Sequence, residues 1–260
     1  MKKTSIFLPS VLLVIFVLFF FKAFFLQGKL PIPADTIIGL YHPFRDLYAK
    51  EYPNGIPFKN FLITDPVRQQ YPWRQLAINI EKKLQMPLWN PYSFAGVPLL
   101  ANFQSASFYP LNILFLLLPF SFAWSVLVFT QPFLAGIFLY FYLISLRLNK
   151  WASLVGSISF SFSGFSIAWL EWNTIMHVGL WLPLILLSID KIVSSNKPFI
   201  WSSVFLFGIV SSFFAGHLQT FFYLFLIIIA YLLTRLIQNG KDKKIISLFT
   251  ILYSLFFLFT

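Results

Sequence analysis

The sequence predicts an all-α protein that crosses a membrane several times and carries one large hydrophilic segment after its first crossing. Three observations lead there. The 260 residues are 58% hydrophobic, 21% aromatic and only 10% charged, with 35 Phe, whereas an ordinary soluble domain carries about 25% charge. A chain of this length has too little interior to bury that much apolar side chain in water. The apolar residues also fall into runs long enough to cross a ~30 Å hydrocarbon core at ~1.5 Å per residue. Finally, Lys and Arg occupy alternate breaks between those runs. These features exclude a soluble globular enzyme, a disordered chain and a nucleic-acid-binding domain. The net charge of +11 therefore bears on membrane orientation rather than on nucleic acid. With no Cys and three His, disulfides and thiolate sites are excluded and a histidine-rich metal cage is disfavoured.

Residues 1–26 read as the first span. After the basic start Met1–Lys3, Ser5 to Leu26 is apolar apart from Ser10 and Lys22. Lys22 lies near the far end, where its amine can snorkel to the interface. Ala23–Gly28 lacks the small-residue cleavage site of a signal peptide, so the span is uncleaved. Residues 27–107 differ in kind, holding 8 of the 19 basic residues, 5 of the 8 acids and 10 of the 16 prolines. Within them Arg74–Leu84, with Leu76, Ile80 and Leu84 at four-residue spacing, reads as an amphipathic helix. The remainder is rich in Pro and Gly and reads as turns.

Residues 108–260 are apolar with short polar breaks, which predict spans near 122–146, 151–169, 178–193, 198–215, 218–237 and 245–260. Leu111–Leu118, closed by Pro119, is too short to cross and reads as an interfacial or re-entrant helix. The last apolar run reaches Thr260 after 16 residues with no polar stop, so the last span reads as truncated and the chain as part of a longer protein. If the chain starts inside, Lys2, Lys3, Arg147, Lys150, Lys191, Lys197, Arg235, Lys241, Lys243 and Lys244 all fall on the cytoplasmic side. The opposite breaks contain Glu171, His177 and His217 and neither Lys nor Arg. The pattern predicts a cytoplasmic N-terminus and an extracytoplasmic 27–107 loop.

That orientation gathers the polar candidates at one face. Asp35 stands nine residues past Leu26, close to the membrane surface. Asp65 precedes Pro66, Arg68 and Arg74. A carboxylate there can act as a general base or hold a divalent cation against a phosphate. The forks of Arg68 and Arg74 suit phosphate oxygens. Asp46, Glu51, Glu81, Asp190 and Asp242 have basic neighbours and read as solvated surface charges. The uncharged stretch Pro87–Ser105 combines Trp89 and Tyr92 with Asn90, Asn102 and Gln104. Rings beside amides suit a sugar-binding surface, and equally an aromatic belt at the membrane interface. Glu171, His177, His217 and Gln219 stand at outer span ends and are candidates for substrate contact.

Several motifs together resemble the YfhO-type family of bacterial membrane proteins. They are Asp65-Pro66-Val67-Arg68-Gln69-Gln70-Tyr71-Pro72-Trp73-Arg74, Pro87-Leu88-Trp89-Asn90-Pro91-Tyr92, Gly96-Val97-Pro98-Leu99-Leu100-Ala101-Asn102, Phe108-Tyr109-Pro110 and Gly216-His217-Leu218-Gln219-Thr220. The resemblance covers essentially the whole chain. It implies a GT-C-like fold in a bacterial plasma membrane. It also implies a glycosyltransferase that takes sugar from a polyprenyl-phosphate carrier and acts outside the membrane. Such enzymes place an essential acid in the first outer loop soon after the first span, and Asp35 matches that position. Thr36 follows it, so the family group's paired acidic motif is absent, leaving open whether Asp35 acts with Asp65 and whether it holds a metal. The expected acceptor is a cell-envelope polymer or glycolipid. The competing readings are a transporter or lipid flippase, which would place ionisable residues near mid-span, and a non-catalytic envelope-assembly protein.

Overall fold

A computed structural model describes residues 7–56, 63–239, 246, 247, 250, 251 and 254. The basic start, Lys241, Lys243, Lys244 and most of the expected 245–260 span lie outside the described residues.

The first helices are α1 (Phe7–Phe20) and α2 (Lys22–Gln27), the latter closed by Gly28 at φ 64°. Leu13, Val17, Phe21 and Phe24 recur every three to four residues and are buried as one stripe, while Ile15, Phe16 and Phe19 face outward. Large apolar side chains on the outer face of a packed helix require an apolar surrounding, which lipid supplies.

The described residues between 27 and 107 form short elements: α3 (Asp35–Leu40), α4 (Phe44–Leu47), a π-helical turn (Pro66–Gln70), α5 (Tyr71–Glu81) and an antiparallel hairpin of β1 (Trp89–Asn90) and β2 (Val97–Pro98). Helix α5 starts and stops three residues earlier than the spacing predicts. Pro72 sits in its first turn, where a missing N–H costs nothing. The backbone leaves the helix before Leu84, which adopts φ 56°. Its buried face is Arg74, Ala77 and Ile78, not the expected Leu76–Ile80–Leu84 stripe. The packing partner decides the face: Ile78 joins a cluster with Val17, Phe115, Trp124 and Leu127.

Next come a 3-10 turn (Pro110–Ile113) and α6 (Leu114–Leu117), together far shorter than a span. They lead into α7 (Phe120–Ser145), 26 residues long with Pro132 inside it. Helix α8 (Lys150–Ser161) begins with the Asn149 side chain accepting the Trp151 N–H. The expected 151–169 helix is interrupted after Ser161, because the Ser163 hydroxyl accepts the Ser166 N–H and caps a new helix, α9 (Gly164–Ala168). A 3-10 turn (Leu170–Trp172) and α10 (Ile175–Gly179) precede α11 (Leu182–Ser194), α12 (Pro198–Phe214) and α13 (Leu218–Asn239).

By length and hydropathy, Phe120–Ser145, Lys150–Ala168, Ile175–Ser194 and Leu218–Gln238 suffice to cross a membrane, with Leu8–Phe20 and Pro198–Phe214 as shorter apolar helices. The chain is a helical membrane protein. Helix α7 packs against α1, α8 and α11, and α11 against α12 and α13. The α1–α7–α8 contact is close enough that a Cβ on Gly136 would lie 2.8 Å from the Ser161 hydroxyl and 3.0 Å from Leu13. A second core of Met176, Trp181, Ile185, Phe205, Ile209 and Leu224 joins α10 to α13. Residues 99–109 sit on the α12–α13 turn, with Phe103 against Phe213 and Phe108 against Phe214. The described residues from α5 to Tyr109 therefore cap one end of the helix bundle.

Candidate functional site

Where the cap meets the bundle, buried polar side chains cross the joint. Arg74 on α5 is fully buried, with its guanidinium 5.4 Å from the Trp124 ring. Its Nε donates to the Ser105 carbonyl at 3.3 Å and its Nη2 to the Asn173 carbonyl at 3.1 Å. Burial lowers its pKa to about 10, so it stays charged at neutral pH. Asn173, at φ 56° in a conformation that Asn tolerates better than most residues, donates from Nδ2 to the Trp124 carbonyl at 3.0 Å. Its Oδ1 receives Gln131 Nε2 at 3.0 Å and lies 3.2 Å from His177 Nε2. Tyr109 Oη lies 2.9 Å from His177 Nδ1. These bonds are mutually consistent when the imidazole carries its proton on Nε2 and accepts from the tyrosine on Nδ1. Gln131 also donates to the Leu170 carbonyl at 2.8 Å. The network holds the 170–177 turn to α5 and α7.

The chain around it is built for the same joint. Gln70 donates to Gln104 at 2.8 Å, and Asn102 accepts the Ser105 N–H at 3.1 Å. Gly216, at φ 97°, lets the α12–α13 turn back onto the cap. A Cβ there would lie 3.0 Å from Ala106, and 3.3 Å from both the Phe103 carbonyl and Thr174. Gly216→Ala is expected to cost about 1–3 kcal/mol through strain alone. Thermal unfolding in detergent should fall by several degrees, and an unchanged midpoint would show that the turn relaxes freely.

Beside this joint a cleft of about 450 Å³ opens between α8–α9, α10–α11 and α13. Phe160, Phe165, Trp169, Met176 and Leu224 line its apolar length, and His217, Gln219, Thr220 and Tyr223 supply the polar groups. His217 Nδ1 accepts the Thr220 N–H at 3.2 Å and lies 2.8 Å from the Thr220 hydroxyl. That places the neutral ring's proton on Nε2. Gln219 donates to Tyr223 Oη at 3.0 Å.

Residues 97–260 match the family described as bacterial membrane protein YfhO. The chain belongs to that family. No curated protein and no solved structure matches. The YfhO match covers Tyr109, Gln131, Asn173, His177 and the whole cleft, while Asp35, Asp65, Arg68 and Arg74 precede it.

Within this YfhO-family chain the sequence candidates separate into four groups, the last of them on the β1–β2 hairpin. His217 and Gln219 line the cleft. Arg74, Asn102, Gln104 and His177 are joined in the bonds that seat the cap, and Arg74 and His177 are sealed from solvent. Asp35, Asp65 and Arg68 belong to a third region. Asp35 is exposed in the first turn of α3 and Asp65 is half-buried just ahead of Pro66. Arg68 is exposed, with its guanidinium 5.2 Å from the ring of Tyr41 at the end of α3, so these elements are neighbours. The Pro66–Gln70 turn in turn packs on Leu170–Trp172, which carries the half-buried Glu171. Of the two guanidiniums expected to meet phosphate, Arg68 is the one open to a ligand.

Asn90 is buried within the hairpin, where its Oδ1 accepts the Tyr92 N–H at 2.9 Å and its Nδ2 donates to Ser93 at 3.1 Å. Trp89 covers Gly96 and Tyr92 is exposed, and neither lines the cleft. A divalent cation on Asp35 would draw its other ligands from water and substrate, because among the described residues no group of three His, Asp or Glu could hold one. Sequence reasoning missed Tyr109, Gln131 and Asn173 at the joint and Thr220 and Tyr223 in the cleft. Gln131 carried a signal: an amide beside Pro132 inside an apolar run.

Proposed function

We propose that this YfhO-family protein is a glycosyltransferase that takes a sugar from a polyprenyl-phosphate carrier. The acceptor is an envelope glycopolymer or glycolipid on the extracytoplasmic side of the bacterial plasma membrane. The amphipathic cleft carries this reading. A lipid-linked donor needs an apolar trough for its isoprenoid chain and polar groups where the chain meets its phosphate. Phe160, Phe165, Trp169 and Leu224 suit the first need, and His217, Gln219 and Tyr223 the second. The basic residues Arg147, Lys150, Lys191 and Lys197 lie in or beside the α7–α8 and α11–α12 connections and Arg235 near the end of α13, in keeping with a cytoplasmic face there.

In the inverting reaction an acceptor oxygen bonds to the sugar's anomeric carbon as the bond to the carrier phosphate breaks. Asp35 takes the acceptor's proton, and Arg68 stabilises the charge growing on the departing phosphate. A neutral His217 contributes an Nε2 hydrogen bond toward the donor headgroup. Losing a hydrogen bond to a charged group costs about 1.5–3 kcal/mol, so His217→Ala should reduce transfer from a polyprenyl-phosphate sugar by about 10- to 100-fold at normal protein level. Normal transfer by that variant would remove the cleft from the reaction.

A further inference from the structure

We propose that the β1–β2 hairpin is a membrane-interface anchor that inserts its tip into the headgroup region of an anionic bilayer on the cap side of the bundle.

Six large apolar residues stand exposed between positions 84 and 94: Leu84, Met86, Leu88, Trp89, Tyr92 and Phe94. Leu84 is 97% exposed, Tyr92 83% and Phe94 104%. Such a density on an aqueous projection marks a surface that meets something apolar. The tip is also held in shape. Trp89 pairs with Pro98 and Asn90 with Val97. Asn90 secures the turn through Tyr92 and Ser93, while the Trp89 ring lies over Gly96. Phe94 is held at φ 51°, a left-handed conformation unfavourable for a bulky side chain. A strained and fully exposed Phe at the apex contributes nothing to the folded core, which fits a residue placed for an outside contact.

Charge selects lipid as that contact. Lys82 and Lys83 immediately precede the apolar stretch, and no charged residue then occurs until Arg147. Lysines beside Trp, Tyr and Leu form the composition that binds anionic headgroups while burying rings at the acyl boundary. The hairpin's base is also close to the bundle. The Leu99 N–H donates to the Leu88 carbonyl at 2.8 Å, and the Ser105 hydroxyl to the Leu99 carbonyl at 3.3 Å. Ser105 and Phe103 in turn seat on Arg74 and on the end of α12. The glycan-binding alternative for the same rings places polar partners beside them, whereas Asn90 is already bonded within the turn.

The cysteine-free sequence permits a test that is independent of catalysis. The full chain, carrying Phe94→Cys or, separately, Tyr92→Cys, is labelled with a nitroxide. It is reconstituted in vesicles of equal parts phosphatidylcholine and phosphatidylglycerol. Collision with oxygen and with a water-soluble nickel chelate is then compared with a label at Asn54→Cys. The expected result is an inverted order, with oxygen favoured over nickel at 92 and 94 and nickel favoured at 54. Nickel access at the tip equal to that at 54 would overturn the proposal. So would shielding that appears only when a soluble envelope oligosaccharide is added, which would make the hairpin a glycan surface. Dipolar broadening between labels at 94 would overturn it in favour of a second copy of the chain.

Discussion

Asp35→Asn is expected to lower sugar transfer by at least about 100-fold, since a general base contributes about 10²–10⁴-fold. The fold should survive, because the exposed Asp35 side chain makes no hydrogen bond or ion pair among the described residues. The change keeps size and hydrogen-bonding capacity while removing charge and basicity. Position supports the role. Helix α2 ends at Gln27, and only residues 28–34, with Pro31 and Pro33 among them, separate it from α3. A donor whose lipid tail is anchored in the bilayer keeps its phosphate near headgroup level, so the base must stay near that level too. The comparison is Asp65→Asn, on the turn that Arg68 joins to the end of α3. Transfer by purified variants, with thermal unfolding as the folding control, measures both. Near-normal transfer by Asp35→Asn together with loss in Asp65→Asn would reverse the two roles.

Arg74→Ala is expected to be the most destabilising single change at the joint, costing about 3 kcal/mol. Its guanidinium satisfies the Ser105 and Asn173 carbonyls and stacks near Trp124. Truncation leaves both carbonyls buried without a donor and opens a space beneath the Trp124 ring. Arg74→Lys keeps the charge but cannot present two divergent donors, so its loss should be intermediate. Thermal unfolding in detergent, read beside limited proteolysis of residues 27–107, would show the cap loosening before the bundle melts. If Arg74→Ala unfolds at the wild-type temperature, the joint is held by packing and the buried charge is incidental.

The two variants separate chemistry from architecture. The Asp35 side chain is exposed and has no partner among the described residues, so its removal should change rate and leave stability alone. Arg74 has two backbone partners and no solvent contact, so its removal should change stability first. A finding that either variant did both would mean that the cap's seating and the reaction are coupled.

Much of the architecture was legible in the chain itself. Apolar runs, a low share of charge and basic residues at alternate breaks specify a helical membrane protein, because lipid demands apolar side chains and internally bonded backbone. Of the family motifs running from Asp65 to Thr220, those from Val97 onward fall within the stretch that matches the family, and the placement of Asp35 after the first span made it the candidate base. Tertiary structure alone decided which polar residues are sealed in the joint and which stay exposed or line the cleft. Arg74 and His177 looked as available as Arg68 and His217 in the sequence, since all four sit in polar breaks or outside the spans. Packing turned Arg74 under Trp124 and His177 toward Tyr109 and Asn173, leaving His217 at the cleft. It also buried the Ala77–Ile78 face of α5 in place of the expected leucine stripe, and capped α9 at Ser163 within a run that read as one helix. Periodicity records which residues are apolar. Which of them is covered, and by what, depends on partners 30 to 100 residues away, and no local pattern contains that information.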